Sequence, residues 1–384
     1  MRVPRTVWAL GLVSLCMDLS SELVHALLPV YMTVVLGASM LAVGVVEGIA
    51  EATASIVKVF SGALSDRLRR RKPLVVFGYA LAMVSKPLFP LAGSVALVLA
   101  ARFMDRIGKG IRGAPRDALI ADVTPEGSRG AAFGLRQALD TVGAFLGPLA
   151  AIGLMLLFAS DVRTVLWFAV IPAAISVIVL LAAVREPPLR SAASHPLSKA
   201  ALGEFAPPFW LAVAIGALMT LARFSEAFLV IRGQGLGVAL AFVPLVLVVM
   251  NVVYTAVAYP AGLAADRGHR KALLAWGLAA LIAADLLLAQ SGSLALFFAA
   301  VVLWGLHMGM TQGLLAAMVA DAAPERLRGT AFGVFHFVSG VALLAASLTA
   351  GWLWDAFGAT WTFYAGAAFS ALALAGLLSL RRTS

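Results

Sequence analysis

The sequence predicts an all-α membrane protein, with twelve transmembrane helices arranged as two pseudo-symmetric six-helix bundles. Three observations carry this prediction: an extreme apolar composition, twelve apolar runs of spanning length, and an internal repeat that pairs the two halves. Of the 384 residues, 62% are hydrophobic and 12% charged, where soluble domains average about 45–50% and about 25%. Mean hydropathy is +0.97. These values exclude a disordered chain and an ordinary soluble enzyme. A bilayer core of about 30 Å takes roughly 20 apolar residues per helix. A membrane barrel would instead show alternating segments of roughly ten residues, and the sequence has none.

Taken in order, the first run is 7–35, preceded by Arg2 and Arg5. It contains Asp18 and Glu22 and has no small-x-small cleavage site, so it reads as a spanning helix and not as a signal peptide. The turn Gly37-Ala38-Ser39 leads into 39–60, and a basic loop leads into 74–92. Gly93-Ser94 then opens 94–118, followed by 130–157 and 163–183. The second set is 208–231, 238–261, 272–290, 293–318, 329–353 and 360–380. Short breaks such as Gln290-Ser291-Gly292-Ser293 make sequential helices antiparallel neighbours. The longest polar break, REPPLRSAASHPLSKAALGEFAPP, reads as a linker between halves. The expected organisation is a bundle over 1–184, a cytoplasmic linker over 185–207, and a bundle over 208–384. The single cysteine, Cys16, excludes an intramolecular disulfide and a cysteine-rich metal site.

The net charge of +10 and pI near 10.3 would suggest a nucleic-acid partner in a soluble chain. Here the loop cations divide by side. Arg2 and Arg5, the run Arg67 to Lys72, Arg129, Arg185, Arg190, Lys199, Arg267, Arg270, Lys271, Arg326, Arg328, Arg381 and Arg382 all fall on one face; only Arg163 and Arg232 fall on the other. The positive-inside rule then places both termini in the cytoplasm. The expected location is an inner (cytoplasmic) membrane of bacterial type, with lipid as the surrounding partner and no nucleic acid.

The halves repeat. IADVTPEGSRGAAFG at 120–134 matches VADAAPERLRGTAFG at 319–333, and GALSDRLRRRK at 62–72 matches GLAADRGHRK at 262–271. Two related six-helix bundles are transporter architecture. GALSDRLRRRK resembles the loop motif of the major facilitator superfamily, G-x-x-x-D-R-x-G-R-[RK], through Gly62, Asp66, Arg67, Arg70 and Arg71, with Arg69 at a position the family gives to glycine. The second copy keeps Gly262, Asp266, Arg267, Gly268, Arg270 and Lys271. ARFMDRIGKG resembles the fourth-helix motif of that family through Arg102, Gly108 and Gly110, with Arg106 departing from it. Gly134, Gly143, Gly147 and Pro148 resemble the fifth-helix motif of its exporters, with Ala151 replacing a final glycine. The resemblance covers essentially the whole chain and implies the major facilitator fold. It also implies a conformational latch at Gly62, Asp66, Arg67 and Arg70 and again at Gly262, Asp266, Arg267 and Arg270, a bundle self-sufficient as a monomer, and export. Physically, a carboxylate beside a neighbouring helix N-terminus and an arginine can form such a latch. Small residues permit close helix approach, and Gly-Pro permits a kink.

Within the spans, cations and acids balance at nine each, and most lie in the first half. A charge in a membrane span needs a partner or a wet cavity. Asp18, Glu22 and His25 share one face of helix one; Glu47, Glu51 and Lys58 share a face of helix two; Arg102, Asp105, Lys109, Arg112 and Arg116 form a stripe on helix four; Arg136 and Asp140 are four apart on helix five. The fold resembled lines its cavity with these helices. Asp18, Glu22, Glu47 and Glu51 are therefore candidate proton carriers, Arg102 the partner that tunes Asp18 and Glu22, and Arg112, Arg116, Asp117 and Lys109 candidates for gating. The competing reading is a static ion-pair lattice. Candidate substrate-cavity residues are His25, Arg136, Asp140, Arg223, Glu226, Asn251, Tyr254, His307, Gln312 and His336. Arg223 and Glu226, three apart, are placed to satisfy each other. His307 and Met310 are weak candidates for a soft metal, and helix packing competes with that reading. No metal is expected as part of the protein.

No cofactor is expected, and no Walker loop, HExxH or paired-aspartate constellation marks an enzyme. The expected function is secondary active transport of a small organic solute, by proton-coupled export through alternating access. The alternatives are uptake of an organic anion by proton symport and transport of a transition metal or metal chelate.

Overall fold

A computed structural model describes residues 4–68, 70–125, 128–186, 203–324 and 327–379; the side chains of 62, 63, 66–68, 129, 130, 266, 313, 316, 317, 320, 321, 328, 329 and 379 also lie outside the description. The described residues form helices and no strand. We number twelve long helical segments: α1 Arg5–Val35, α2 Met40–Leu68, α3 Lys72–Leu91, α4 Val95–Val123, α5 Arg129–Leu157, α6 Val162–Ala183, α7 Pro207–Gly235, α8 Leu240–Ala264, α9 Arg267–Gln290, α10 Leu294–Ala322, α11 Arg328–Phe357 and α12 Ala359–Ser379. Eleven contain a stretch long and apolar enough to cross a membrane. The exception is α4, whose Arg102, Asp105, Arg106, Lys109, Arg112, Arg116 and Asp117 lower its hydropathy.

Several segments are interrupted where the sequence removes a backbone donor or strains the chain. Pro29 lies inside α1, and the last turn, Tyr31–Val35, widens to π geometry. α3 breaks around Lys86-Pro87. α7 is two helices, Pro207–Ala222 and Ala227–Gly235, with Arg223 in extended geometry between them. Gly268, at φ 92°, breaks the helical geometry in the first turn of α9.

Contacts divide the chain into two compact units, 1–36 with 49–197 and 37–48 with 198–384. In the first unit, Leu10, Val13 and Met17 of α1, Val75 and Tyr79 of α3, Leu119 of α4 and Leu180 of α6 form a buried core. Arg71, between α2 and α3, pairs with Asp122 at 2.6 Å and donates its backbone N–H to Glu186. In the second unit, one core gathers Phe209, Val213, Val319 and Ala331, and another gathers Met219, Leu274, Leu278, Leu314 and Leu377. The outer surfaces carry Phe60, Leu157, Ile178, Trp276 and Leu372 exposed, as a lipid-facing shell requires.

Residues 37–48 group with the second unit for a specific reason. Asp355, near the end of α11, accepts the backbone N–H groups of Met40 and Leu41 at 2.9 and 2.8 Å. Gly44 approaches the Ser347 carbonyl, and Gly351 approaches that of Met40, so closely that an added Cβ would lie 2.2 and 2.5 Å away.

The repeat persists into three dimensions. Ser94 and Ser293, at the offset seen in sequence, each cap their helix by accepting from the N–H three residues on, both at 3.4 Å. Gly78 and Gly108 bring α3 and α4 into backbone contact, and an added Cβ would meet a carbonyl at 2.7 or 2.6 Å. Their counterparts are Gly277 and His307, where the His307 Nδ1 meets the Gly277 carbonyl oxygen at 2.9 Å.

Candidate functional site

The first unit concentrates its charge on α1, α2, α3, α4 and α5, in two networks. One is centred on Asp105. Lys86, at the break in α3, donates to Asp105 at 2.8 Å and to Ser21 of α1 at 3.0 Å. Arg106 reaches Asp105 at 3.6 Å and Glu51 of α2 at 3.1 Å. Arg102 Nη2 lies 2.9 Å from His25 Nδ1. Lys86, Arg102, Asp105 and Arg106 are all buried. Salt bridges in such a setting compensate charges that would otherwise be left in apolar surroundings.

The second network lies along the later turns of α4. Arg116 donates to Ser14 at 3.0 Å and pairs with Asp117 at 3.0 Å, while Arg112 stacks 4.5 Å above the Tyr79 ring. Arg136 pairs with Asp140 at 3.2 Å along α5. Asp18 of α1 lies near Asp140 of α5.

Glycines set the spacing of this network. Gly143 and Gly147 of α5 face the backbone of α1, where an added Cβ would lie 2.4 Å from the Leu15 carbonyl and 2.7 Å from Glu22 Cβ. Gly134 faces open space. Pro148 lies inside α5, one residue past this contact.

The structure thus brings Asp18 to Asp140 and His25 to Arg102. Glu51 joins Arg106. Glu47 is buried within residues 37–48 of the second unit. The sequence names Arg102 as the partner of Asp18 and Glu22; in the structure Arg102 Nη2 also lies against His25. Spacing also passes over Lys86, Ser21, Ser14 and Tyr79 as site residues. Lys86 and Asp105 sit on different helices, so no helical periodicity links them; their signal is the cost of two charges inside spans.

In the second unit the site candidates are more dispersed. Arg223 and Glu226 flank the break in α7, so helical three-residue spacing does not join them. His307 is engaged by the α9 backbone. His336 stacks on Phe332 at 6.2 Å. Asn251, Tyr254, Met310 and Gln312 are half-buried. Among the described residues, no group of three or more His, Cys, Asp or Glu side chains is placed to hold a metal. Of the latch residues, Gly262 is half-buried, Arg70 and Arg267 are exposed, and Arg270 is half-buried. The side chains of Asp66, Arg67 and Asp266, and the surroundings of Gly62, lie outside the described residues. The repeat counterparts of Lys86 and Asp105 are Asp285 and Trp304. Both are fully buried, and neither the Asp285 carboxyl oxygens nor Trp304 Nε1 has a hydrogen-bond partner.

A polytopic helical membrane protein with an internal repeat and buried charge networks has the form of a transporter, and its likeness to known proteins agrees. The profile of the Major Facilitator Superfamily matches residues 10–250 and 227–384. An MFS-type transporter of Methanocaldococcus jannaschii is 32% identical over 362 residues, covering 91% of this chain and 88% of that protein. The inner membrane transport protein YajR of Escherichia coli is 32% identical over 152 residues, 38% of this chain and 32% of that protein. Among solved structures, the nucleoside transporter NupG (D323A mutant) superposes with TM-score 0.83 at 12% identity, over 98% of this chain and 100% of that one. A bacterial homologue of the human lysosomal transporter Spinster, inward-facing and unoccupied, gives TM-score 0.75 at 16% identity, over 98% and 97%. The chain belongs to the major facilitator superfamily. It is an integral, multi-pass membrane protein of a family of secondary transporters that carry small molecules.

Proposed function

We propose that this transporter exports a small organic solute in exchange for protons, by alternating access, and that Asp18 and Asp140 carry the exchanged proton. The observation that supports this reading is the nearness of Asp18 on α1 to Asp140 on α5, with Arg136 paired to Asp140. A proton held between two acids on two helices leaves readily if either helix shifts, since separation exposes each carboxyl to water or to a guanidinium. Glu22 and Glu51 lie on α1 and α2 as further acceptors, and Glu51 is already held by Arg106. The protein acts as a monomer in a cytoplasmic membrane, with both termini on the cytoplasmic side, and Asp66 and Asp266 serve as conformational latches.

The test is transport in reconstituted proteoliposomes with a panel of solutes, with and without an imposed proton gradient. The reading expects gradient-driven movement that Asp18→Asn and Asp140→Asn abolish while substrate exchange at equal pH survives. Equal transport with the gradient collapsed would remove proton coupling. Intact gradient-driven transport in both variants would remove these carriers.

A further inference from the structure

The second network of the first unit is electrostatically unbalanced. Lys58 of α2 lies in the field of Asp117, Arg116, Lys109 and Arg136. Asp140 neighbours Asp18, Arg116, Arg136 and Lys109, and Asp18 neighbours Arg112 and Lys109. Five cations therefore share this neighbourhood with Asp18, Asp117 and Asp140, and Lys109 also faces Glu51.

The excess is partly exposed and incompletely satisfied. Lys58 and Lys109, on α2 and α4, have exposed side chains, and a charge there needs a partner, a wet cavity or reach to the membrane surface. Arg112 is 4% exposed, and its Nη1 has no hydrogen-bond partner. A buried guanidinium N–H without an acceptor carries the full cost of its lost hydration. An anion placed among these groups would satisfy that donor, offset the charge excess, and receive the fork geometry that arginine offers to carboxylate and phosphate. Tyr79 and Ser14, already joined to this cluster by Arg116, add hydroxyl groups that stay polar when an anion is bound.

We infer that Lys58, Lys109, Arg112, Arg116 and Arg136 form a binding site for an anionic group, carboxylate or phosphate, carried by the transported solute. This rests on the transport reading above and narrows its substrate to anionic or zwitterionic solutes.

The experiment is thermal unfolding of the purified full chain in detergent, titrated separately with citrate and with inorganic phosphate. Sodium chloride at matched ionic strength and tetraphenylphosphonium serve as controls. A saturable rise in the midpoint with citrate or phosphate is expected, and whichever of the two acts at lower concentration identifies the group. Lys58→Gln combined with Lys109→Gln, both at exposed positions, is expected to weaken the apparent affinity about tenfold, and Arg136→Lys to weaken it less. An equal rise with chloride, a response to tetraphenylphosphonium alone, or an unchanged affinity in the double variant overturns the assignment. The measurement needs no gradient. Anion-specific binding alongside gradient-independent transport would leave this site standing and sink proton coupling; gradient-driven transport without anion-specific binding would do the reverse.

Discussion

The Lys86 ammonium lies 2.8 Å from Asp105 with both side chains at most 3% exposed, linking the break in α3 to the charged stripe of α4. Removing one partner strands the other. Lys86→Met and Asp105→Leu are each expected to lower stability by about 3–5 kcal/mol. The double variant is expected to lose less than the sum, and a double-mutant cycle by thermal unfolding in detergent checks this. Additive losses would mean that the two groups are not coupled.

The α1–α5 contact predicts a graded glycine series. Gly143→Ala must push a methyl toward the Leu15 carbonyl, whereas Gly134→Ala meets nothing within 4 Å. The first variant is expected to be destabilised by about 1–3 kcal/mol, and the second to be neutral or slightly stabilised by better helix propensity. Midpoints of thermal unfolding compare them directly, and a destabilised Gly134→Ala beside an unaffected Gly143→Ala would contradict the packing described.

Asp355 ends the unsatisfied donors at the start of α2. Asp355→Ala is expected to cost about 0.5–2 kcal/mol, the range of a lost helix cap. The amides of Met40 and Leu41 should then exchange hydrogen faster than those of the α2 interior, readable by mass spectrometry. Unchanged exchange at both amides would show that another acceptor serves them.

Asp285 offers the opposite case. Its two oxygens accept no hydrogen bond, so Asp285→Asn forfeits none. The expected change in stability is within about 0.5–1 kcal/mol, measured by the same unfolding assay. A loss of several kcal/mol would reveal a partner for this carboxyl.

Much of the architecture is legible in the sequence. Apolar runs of spanning length mark eleven of the twelve segments, because a bilayer demands a minimum apolar length, and the offset between the Asp122 and Asp321 segments marks the repeat. The stripe Arg102, Asp105, Lys109, Arg112 and Arg116 is visible as helical spacing. Pairings between helices are not, since Lys86–Asp105, Arg102–His25 and Asp18–Asp140 depend on how helices rotate against one another. The break at Arg223 is hidden as well. The run from Pro207 to Gly235 is apolar enough to read as one helix, and no proline or glycine marks residues 223–226.

That break bears on how the protein is made. Its two pieces hold 16 and 9 residues, and at 1.5 Å per residue neither reaches across a bilayer core of about 30 Å. The insertion machinery meets them as one 29-residue apolar segment. Unwound backbone facing lipid would leave polar groups unsatisfied at several kcal/mol each. The segment therefore enters the membrane as a continuous helix and opens at Arg223 only after its neighbours have closed around it, which makes the break a late product of assembly.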